Sequence, residues 1–100
     1  MSEADCVRVD VWLWRARFFK TRTLATRFVE KGSIRLSRNG QTLRIERASL
    51  LVRPGDVLTL SLRSGVRRLT VNAIGTRRGP PAEAQTLYEA MLAGVGESDA

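Results

Sequence analysis

Residues 8–32 combine dense positive charge with apolar residues at helical spacing, and this stretch constrains the fold more than any other. It contains seven basic residues and two acidic ones. The apolar positions recur every three or four residues, as they do on one face of an α-helix. A short basic turn, Phe19-Lys20-Thr21-Arg22, divides the stretch into two helices. The pattern indicates a folded, helix-turn-helix-like surface for a polyanion rather than a basic tail.

Each helix has predicted ends and a predicted buried face. The first is predicted over Val9–Phe19 and the second over Arg22–Lys31, with Thr21 as the N-cap and Gly32 as the C-terminal stop. The first helix directs four residues to the core: Val9, Trp12, Leu13 and Ala16. Its second apolar arc holds Val11, Trp14 and Phe18. Trp14 and Phe18 either stack on unpaired bases or are covered by the C-terminal helix. The second helix has one apolar stripe: Leu24, Ala25, Phe28 and Val29.

From residue 33 the apolar period changes to two, which indicates β-strands. Asn39-Gly40 between two alternating runs predicts a hairpin, and Arg53–Asp56 predicts a tight turn. Strands follow over Val57–Arg63 and Arg68–Ile74, and a last helix is predicted over Ala82–Ala93. The chain is therefore predicted to be α+β, with two N-terminal helices packed on a small antiparallel sheet and a C-terminal helix.

Positive charge is concentrated in one part of the chain. The net charge is +7, but residues 8–78 hold all 17 Lys and Arg with only four acids, a local balance of +13. Residues 1–7 carry −2 and residues 79–100 carry −4. A basic region of this kind is typical of a partner with a phosphate backbone.

Metal-dependent and nucleophilic chemistry have little support in this composition. The chain has one cysteine, Cys6, and no histidine, which leaves no disulfide framework, no Cys/His metal cluster and no Cys-His pair. Neither a cofactor, a metal nor catalysis is expected. We find no signal peptide and no long apolar run, which predicts a soluble, cytoplasmic protein.

An ordered series over residues 8–36 resembles the S4 RNA-binding domain family. That family's pattern is Arg-Leu-Asp, then spaced Leu, Arg, Ser-Arg, Ala, Ile or Val, and Gly, followed by a Val-x-Val strand. The matching residues are Arg8-Val9-Asp10, Leu13, Arg17, Thr21-Arg22, Ala25, Val29, Gly32 and Ile34-Arg35-Leu36. Arg53–Val57 resembles the turn before the family's last core strand. Ser37-Arg38 departs from the common pattern, because it lengthens the first hairpin before Asn39-Gly40.

Two segments, Asp10–Arg22 and Arg77–Glu89, resemble ribosome-associated stress-response members of this family. The resemblance implies binding of structured rRNA and peptidyl-tRNA on a large ribosomal subunit that holds a stalled nascent chain, and recycling of that particle. As partners we expect RNA and the large ribosomal subunit rather than a membrane, and we expect a monomer. We expect a flexible N-terminus over residues 1–7, the S4-type domain over 8–76, an extension with a helix over 77–93, and a disordered tail over 94–100.

The basic turn is the predicted centre of the RNA-binding surface, because a phosphate is favoured at the positive end of the second helix. For any single arginine the alternative is a solvated side chain or an ion pair, such as Arg8 or Arg17 with Asp10 or Glu30. The predicted RNA-binding residues are Arg8, Arg17, Lys20, Thr21, Arg22, Arg27, Lys31 and Arg35, with Arg15, Arg38, Arg44 and Arg47 as an extension.

Three other functions stay open at this point. The domain type often accompanies RNA-modifying enzymes, although 100 residues leave little room for a catalytic part. A helix-turn-helix that binds DNA would use its second helix for base contacts. A lipid-surface helix would combine a basic face with a broad apolar one, but the following sheet gives the apolar face another partner.

Overall fold

The computed structural model describes residues 5–91, and in it the first helix is shorter than predicted. A short strand, β1, spans Val7–Arg8, and α1 spans Val9–Arg15. The prediction continued this helix to Phe19. Arg17 instead has a left-handed backbone conformation, with φ of 66°, which a right-handed helix cannot accommodate. The chain therefore leaves the helix before the basic turn begins.

The second helix, α2, spans Arg22–Glu30, and both of its predicted terminal signals are confirmed. The Thr21 hydroxyl accepts a hydrogen bond from the backbone N–H of Leu24 at 3.1 Å, which is an N-cap. Gly32 follows with φ of 78°, the conformation in which glycine ends a helix. A Cβ atom at this position would lie 2.8 Å from Nη2 of Arg44, but that atom ends an exposed, flexible side chain, so it is the backbone conformation that favours glycine here.

The alternating part of the chain forms strands β2 to β6. In order, they span Ile34–Arg38, Gln41–Ile45, Leu51–Val52, Val57–Leu62 and Gly65–Val71. The hairpin of β2 and β3 is confirmed, with positive φ at both Asn39 (54°) and Gly40 (79°), as a type I′ turn requires. Strand β6 begins earlier than the predicted Arg68–Ile74, because the chain reverses within two residues after β5. It also ends earlier, because the backbone N–H groups of Asn72 and Ala73 donate to the carbonyl oxygen of Leu87.

The C-terminal helix is present but shorter than predicted. Helix α3 spans Pro81–Ala84, and a 3₁₀ turn at Gln85–Leu87 leads into strand β7 at Tyr88–Ala90. Strand β7 pairs with β6. An extended segment is favoured here because it satisfies backbone groups at the edge of β6 that a continued helix would leave unpaired. The remainder of the predicted helix and the predicted tail, from position 92 onward, lie outside the described residues.

The helices and the sheet share one hydrophobic core, which confirms the α+β class. The five-stranded antiparallel sheet has the order β3-β2-β5-β6-β7, and β1 pairs separately with β4. One face of the sheet and the inner faces of α1 and α2 bury Val9, Trp12, Leu13, Ala25, Val29, Ile34, Leu36, Leu58 and Leu60. Alternate side chains of the strands point away from the helices. Of the helices in residues 5–91, none has the length and apolar character needed to cross a bilayer.

Candidate nucleic-acid interface

A buried carboxylate joins the beginning of α1 to α2. Asp10 is fully buried and accepts hydrogen bonds from Arg8 Nε at 3.1 Å and Arg8 Nη2 at 3.0 Å. The Thr26 hydroxyl and the Val11 backbone N–H donate to it at 2.9 and 2.8 Å. Arg22 Nε lies 3.8 Å from its Oδ2 atom. Asp10 therefore holds Arg8 and Arg22 on the same side of the helix pair.

The Asp10 carboxylate and the Arg8 guanidinium are both charged at neutral pH. Burial alone would raise the pKa of Asp10, but the hydrogen bonds from Arg8 and Thr26, the charge of Arg8 and the bond from Val11 hold it below its ordinary value. The hydrogen bond to Asp10 in turn raises the pKa of Arg8. The side chains of Arg8 and Arg22 are 43% and 50% exposed, so both present positive charge to solvent while one end is anchored.

The beginning of α2 lies beside these two arginines. Lys20, Thr21 and Arg22 are all exposed. The first turn of a helix presents backbone N–H groups at the positive end of the helix dipole, and the Thr21 cap fixes where that turn begins. Arg8, Lys20, Thr21 and Arg22 together form what we call the turn surface. Its geometry suits a phosphate group.

Contacts from the C-terminal part of the chain fix the turn that leads into this surface. Arg78 donates hydrogen bonds to the carbonyl oxygens of Trp14 at 3.1 Å and Phe19 at 3.3 Å. Arg17 donates from Nε to the carbonyl oxygen of Gly79 at 2.6 Å. The predicted RNA-binding residue Arg17 thus also has a structural role. Arg78 is absent from the predicted site, although the segment that begins at Arg77 is one that resembles the family.

The ring of Phe18 is covered by the C-terminal segment. Its centroid lies 4.9 Å from that of Tyr88 and 6.3 Å from that of Trp12, and the Arg67 guanidinium carbon lies 5.4 Å from it. Covering was one of the two alternatives for this ring. The cover comes from strand β7 rather than from the predicted helix. Trp14, from the same predicted arc, is half-buried.

Two residues of the predicted extension make contacts inside the fold. Arg15 Nη1 donates to the carbonyl oxygens of Ile74 and Gly75 at 3.2 and 2.8 Å. Arg38 forms a two-point ion pair with the buried Asp56 at 2.8 and 2.6 Å, and this hydrogen bonding raises the pKa of Arg38 despite its partial burial. Ser37-Arg38, which lengthens the hairpin, thus supplies the partner of a buried acid.

The other predicted residues are distributed over two further regions. Arg27 and Lys31 are exposed in the later part of α2 and at its end. Arg35 and Arg44 lie opposite each other on β2 and β3, and Arg47 is exposed in the loop after β3. The structure therefore brings together the residues around the basic turn and places the hairpin residues elsewhere.

Comparison with known proteins identifies the family. The model of the S4 domain matches residues 7–58. This chain belongs to the S4 domain family. Heat shock protein 15 of Escherichia coli K12 is 42% identical over 83 residues, which are 83% of this chain and 59% of that protein. The heat shock protein 15 homolog of Haemophilus influenzae is 35% identical over 89 residues, 89% of this chain and 63% of that protein. The S4 chain described here thus spans less than two thirds of the length of these relatives.

A solved structure agrees with the fold. Heat shock protein 15 of Vibrio cholerae has a TM-score of 0.75 and 35% identity to this chain, and the match covers 95% of this chain and 91% of that one. The resemblance inferred from the sequence is therefore confirmed. The Vibrio protein is trimeric, which gives no support to the expectation of a monomer.

The S4 pattern has a physical explanation in this structure. Arg8 and Arg22, which are 14 residues apart in sequence, both lie against the buried carboxylate of Asp10. Thr21, which stands where the pattern has serine, caps α2. The pattern thus describes an anchored pair of arginines beside a helix N-terminus. Membership of the S4 family supports RNA binding as the general activity of the chain.

Proposed function

We propose that this protein binds structured RNA on the large ribosomal subunit and aids the recycling of subunits that hold a stalled nascent chain on tRNA during stress. It acts in the cytoplasm, where ribosomes operate. The turn surface carries the proposal, because Arg8 is hydrogen-bonded to the ionised Asp10, and Arg22 lies 3.8 Å from the same carboxylate at the beginning of α2. The similarity to heat shock proteins 15 supports the stress setting.

The mechanism is recognition without catalysis. Guanidinium and ammonium groups neutralise phosphates and release counterions, which supplies most of the affinity. Selectivity comes from the shape of the RNA, since A-form grooves hide the base edges from helices. Because two hydrogen bonds to Asp10 already orient Arg8, less conformational entropy is lost when this side chain contacts phosphate. The turn surface therefore acts as a pre-formed phosphate site.

The salt dependence of binding follows from the number of phosphates contacted. With about five phosphates neutralised, affinity falls on the order of 10²–10³-fold between 50 and 200 mM salt. For binding to a double helix, each neutralised phosphate contributes about 0.9 to the slope of log K against log salt. Removal of two contacts therefore reduces the slope by roughly 1.8. A nearly flat salt dependence would contradict the proposal.

The test is co-sedimentation with bacterial ribosomal particles on gradients at low and physiological salt. The turn variant Lys20→Gln/Arg22→Gln is compared with Arg53→Gln/Arg63→Gln, which removes the same charge at exposed sites in two other turns. We expect the native chain and the control to associate with large subunits, and the turn variant to bind at least about tenfold more weakly. Thermal unfolding shows whether both variants are folded.

Two results would contradict the proposal in different ways. Equal association by the turn variant and the control would show that the turn surface is not the contact. Binding of a DNA duplex as tightly as ribosomal RNA in the same buffer, without preference for large subunits, would instead indicate a generic nucleic-acid-binding module.

A further inference from the structure

The sheet face that points away from the helices carries a row of basic and hydroxyl side chains across four adjacent strands. The strand register places Arg44 opposite Arg35, Arg35 opposite Thr59, and Thr59 opposite Arg68. Strands lie about 4.8 Å apart, so the row is roughly 15 Å long. Like charges directly opposite each other destabilise a sheet. The Arg35–Arg44 pair is therefore unfavourable for folding alone, and a bound anion would relieve its repulsion.

Three of the four residues of this row, Arg35, Arg44 and Thr59, line a depression in the surface. A cavity of about 380 Å³ is bounded by Gly32, Ser33, Arg35, Arg44, Thr59, Ser61 and Val66. Hydroxyl and guanidinium donors that converge on one depression suit the oxygens of a phosphodiester. The chemistry of the cavity lining thus agrees with the charge of the row.

Two carboxylates lie near this row, and neither neutralises it. Arg44 Nε is 3.6 Å from Glu46, but both side chains are at least 60% exposed, and such surface pairs contribute little. Glu89 on β7 lies opposite Thr70, which is two residues from Arg68 on β6. The Arg35 side chain, at the centre of the row, is exposed.

This row lies at the opposite end of α2 from the turn surface. Arg44 Nε donates to the carbonyl oxygen of Gly32 at 3.3 Å, just after α2 ends, whereas Arg22 is the first residue of that helix. A helix of nine residues is about 13 Å long. One phosphate group therefore cannot contact both regions.

We infer that Arg35, Arg44, Thr59, Ser61 and Arg68, the sheet surface, bind the phosphodiester backbone of a second RNA segment. One chain then joins two RNA segments, one at each end of α2. This goes beyond the proposed function and rests on it only for the choice of RNA as the polyanion. Loss of Arg35 and Arg44 removes contacts to the second segment and leaves the turn surface intact.

A bridging assay tests the inference with the full chain. One ribosomal RNA hairpin is immobilised, protein is added, and retention of a second, labelled hairpin is measured. The sheet variant Arg35→Gln/Arg44→Gln is compared with the charge-matched control Arg53→Gln/Arg63→Gln. We expect the sheet variant to bind the immobilised hairpin but to retain at least about tenfold less of the labelled one than the control does.

The salt dependence gives a second, independent readout. For the sheet variant, the slope of log K against log salt for a long ribosomal RNA should be smaller by roughly 1.8. Its melting temperature should stay close to that of the native chain, since removal of a like-charge pair offsets the loss of the Arg44 hydrogen bond to Gly32. Sedimentation velocity establishes that both variants have the native oligomeric state.

The inference is overturned if the sheet variant bridges hairpins as the control does, because an oligomer would then bridge through its turn surfaces alone. Failure of the native chain to bridge, together with an unchanged salt slope in the sheet variant, overturns it equally. Failure of the proposed function is distinguishable, because it appears as unchanged ribosome association in Lys20→Gln/Arg22→Gln.

Discussion

Replacement of Asp10 by asparagine should destabilise the fold substantially, because this carboxylate connects both helices of the turn surface. It is fully buried and accepts two hydrogen bonds from Arg8. An asparagine of the same size keeps one acceptor oxygen for Thr26 or Val11. Its amide group, however, places donors against the donors of Arg8. The charge-assisted pair is therefore lost while the packing volume is preserved.

The expected cost follows from the hydrogen bonds that are lost. Hydrogen bonds to charged groups contribute about 1.5–3 kcal/mol each, but the Arg8 side chain is 43% exposed, which weakens its two bonds through solvent screening. We therefore expect a loss of about 2 kcal/mol in the free energy of unfolding. For a domain of this size that corresponds to a decrease of about 8–16 °C in melting temperature and about 1 M in the urea midpoint.

Urea unfolding followed by circular dichroism at several pH values measures this effect. Since the pKa of Asp10 is lowered in the folded protein, its ionised form stabilises the fold above the ordinary value of 3.8, and this contribution disappears as pH falls through the lowered pKa. The difference in the free energy of unfolding between the native and Asp10→Asn chains should be largest at pH 7 and should decrease below about pH 4. Glu30→Gln, which changes an exposed acid, should change the free energy of unfolding by less than about 0.5 kcal/mol. Equal midpoints at pH 7, or a gap that persists unchanged in acid, would refute the assigned role of Asp10.

Two further substitutions test the local structure. Thr21→Ala removes the N-cap of α2 and should cost about 1 kcal/mol in urea unfolding, whereas Thr23→Ala, inside the same helix, should be neutral or stabilising; equal effects would show that the cap contributes nothing. Arg38→Leu leaves the Asp56 carboxylate, 2% exposed, without its ion-pair partner and should cost about 3 kcal/mol. Arg38→Lys keeps the charge and should cost less. Equal melting temperatures for the two variants would contradict the ion-pair argument.

The sequence predicts the parts of the fold that depend on local backbone chemistry. Three local signals each predict a backbone conformation: Thr21 before an apolar stripe, Gly32 after it, and Asn39-Gly40 between alternating runs. The structure has the N-cap at Thr21 and positive φ at Gly32, Asn39 and Gly40. The alternation that begins at residue 33 likewise predicts which side chains enter the core. These signals lie within a few residues of the structure that they specify, so neighbouring residues suffice to read them.

The parts that the sequence does not predict depend on contacts between distant residues. The end of α1 is set by the left-handed backbone at Arg17, whose side chain contacts Gly79. The end of the C-terminal helix is set by strand pairing of β7 with β6. Arg38 gives no local sign that it pairs with Asp56, 18 residues later. For the same reason, the predicted site counts Arg15, Arg17 and Arg38 as phosphate ligands, although their side chains also hold the fold together.

The bonds from Arg78 to the turn have a consequence for the order of events during synthesis. Residues 8–32 leave the ribosome long before Arg78 and Gly79. Arg78 donates to the carbonyl oxygens of Trp14 and Phe19, and the carbonyl oxygen of Gly79 accepts from Arg17. Such non-local contacts form only after the intervening chain has been closed into a loop. In a growing chain, the basic turn therefore lacks the hydrogen bonds to Arg78 and Gly79 until nearly the whole domain has emerged. A partly made copy of this protein lacks the finished turn surface and is a poor competitor for the RNA that the complete copy binds.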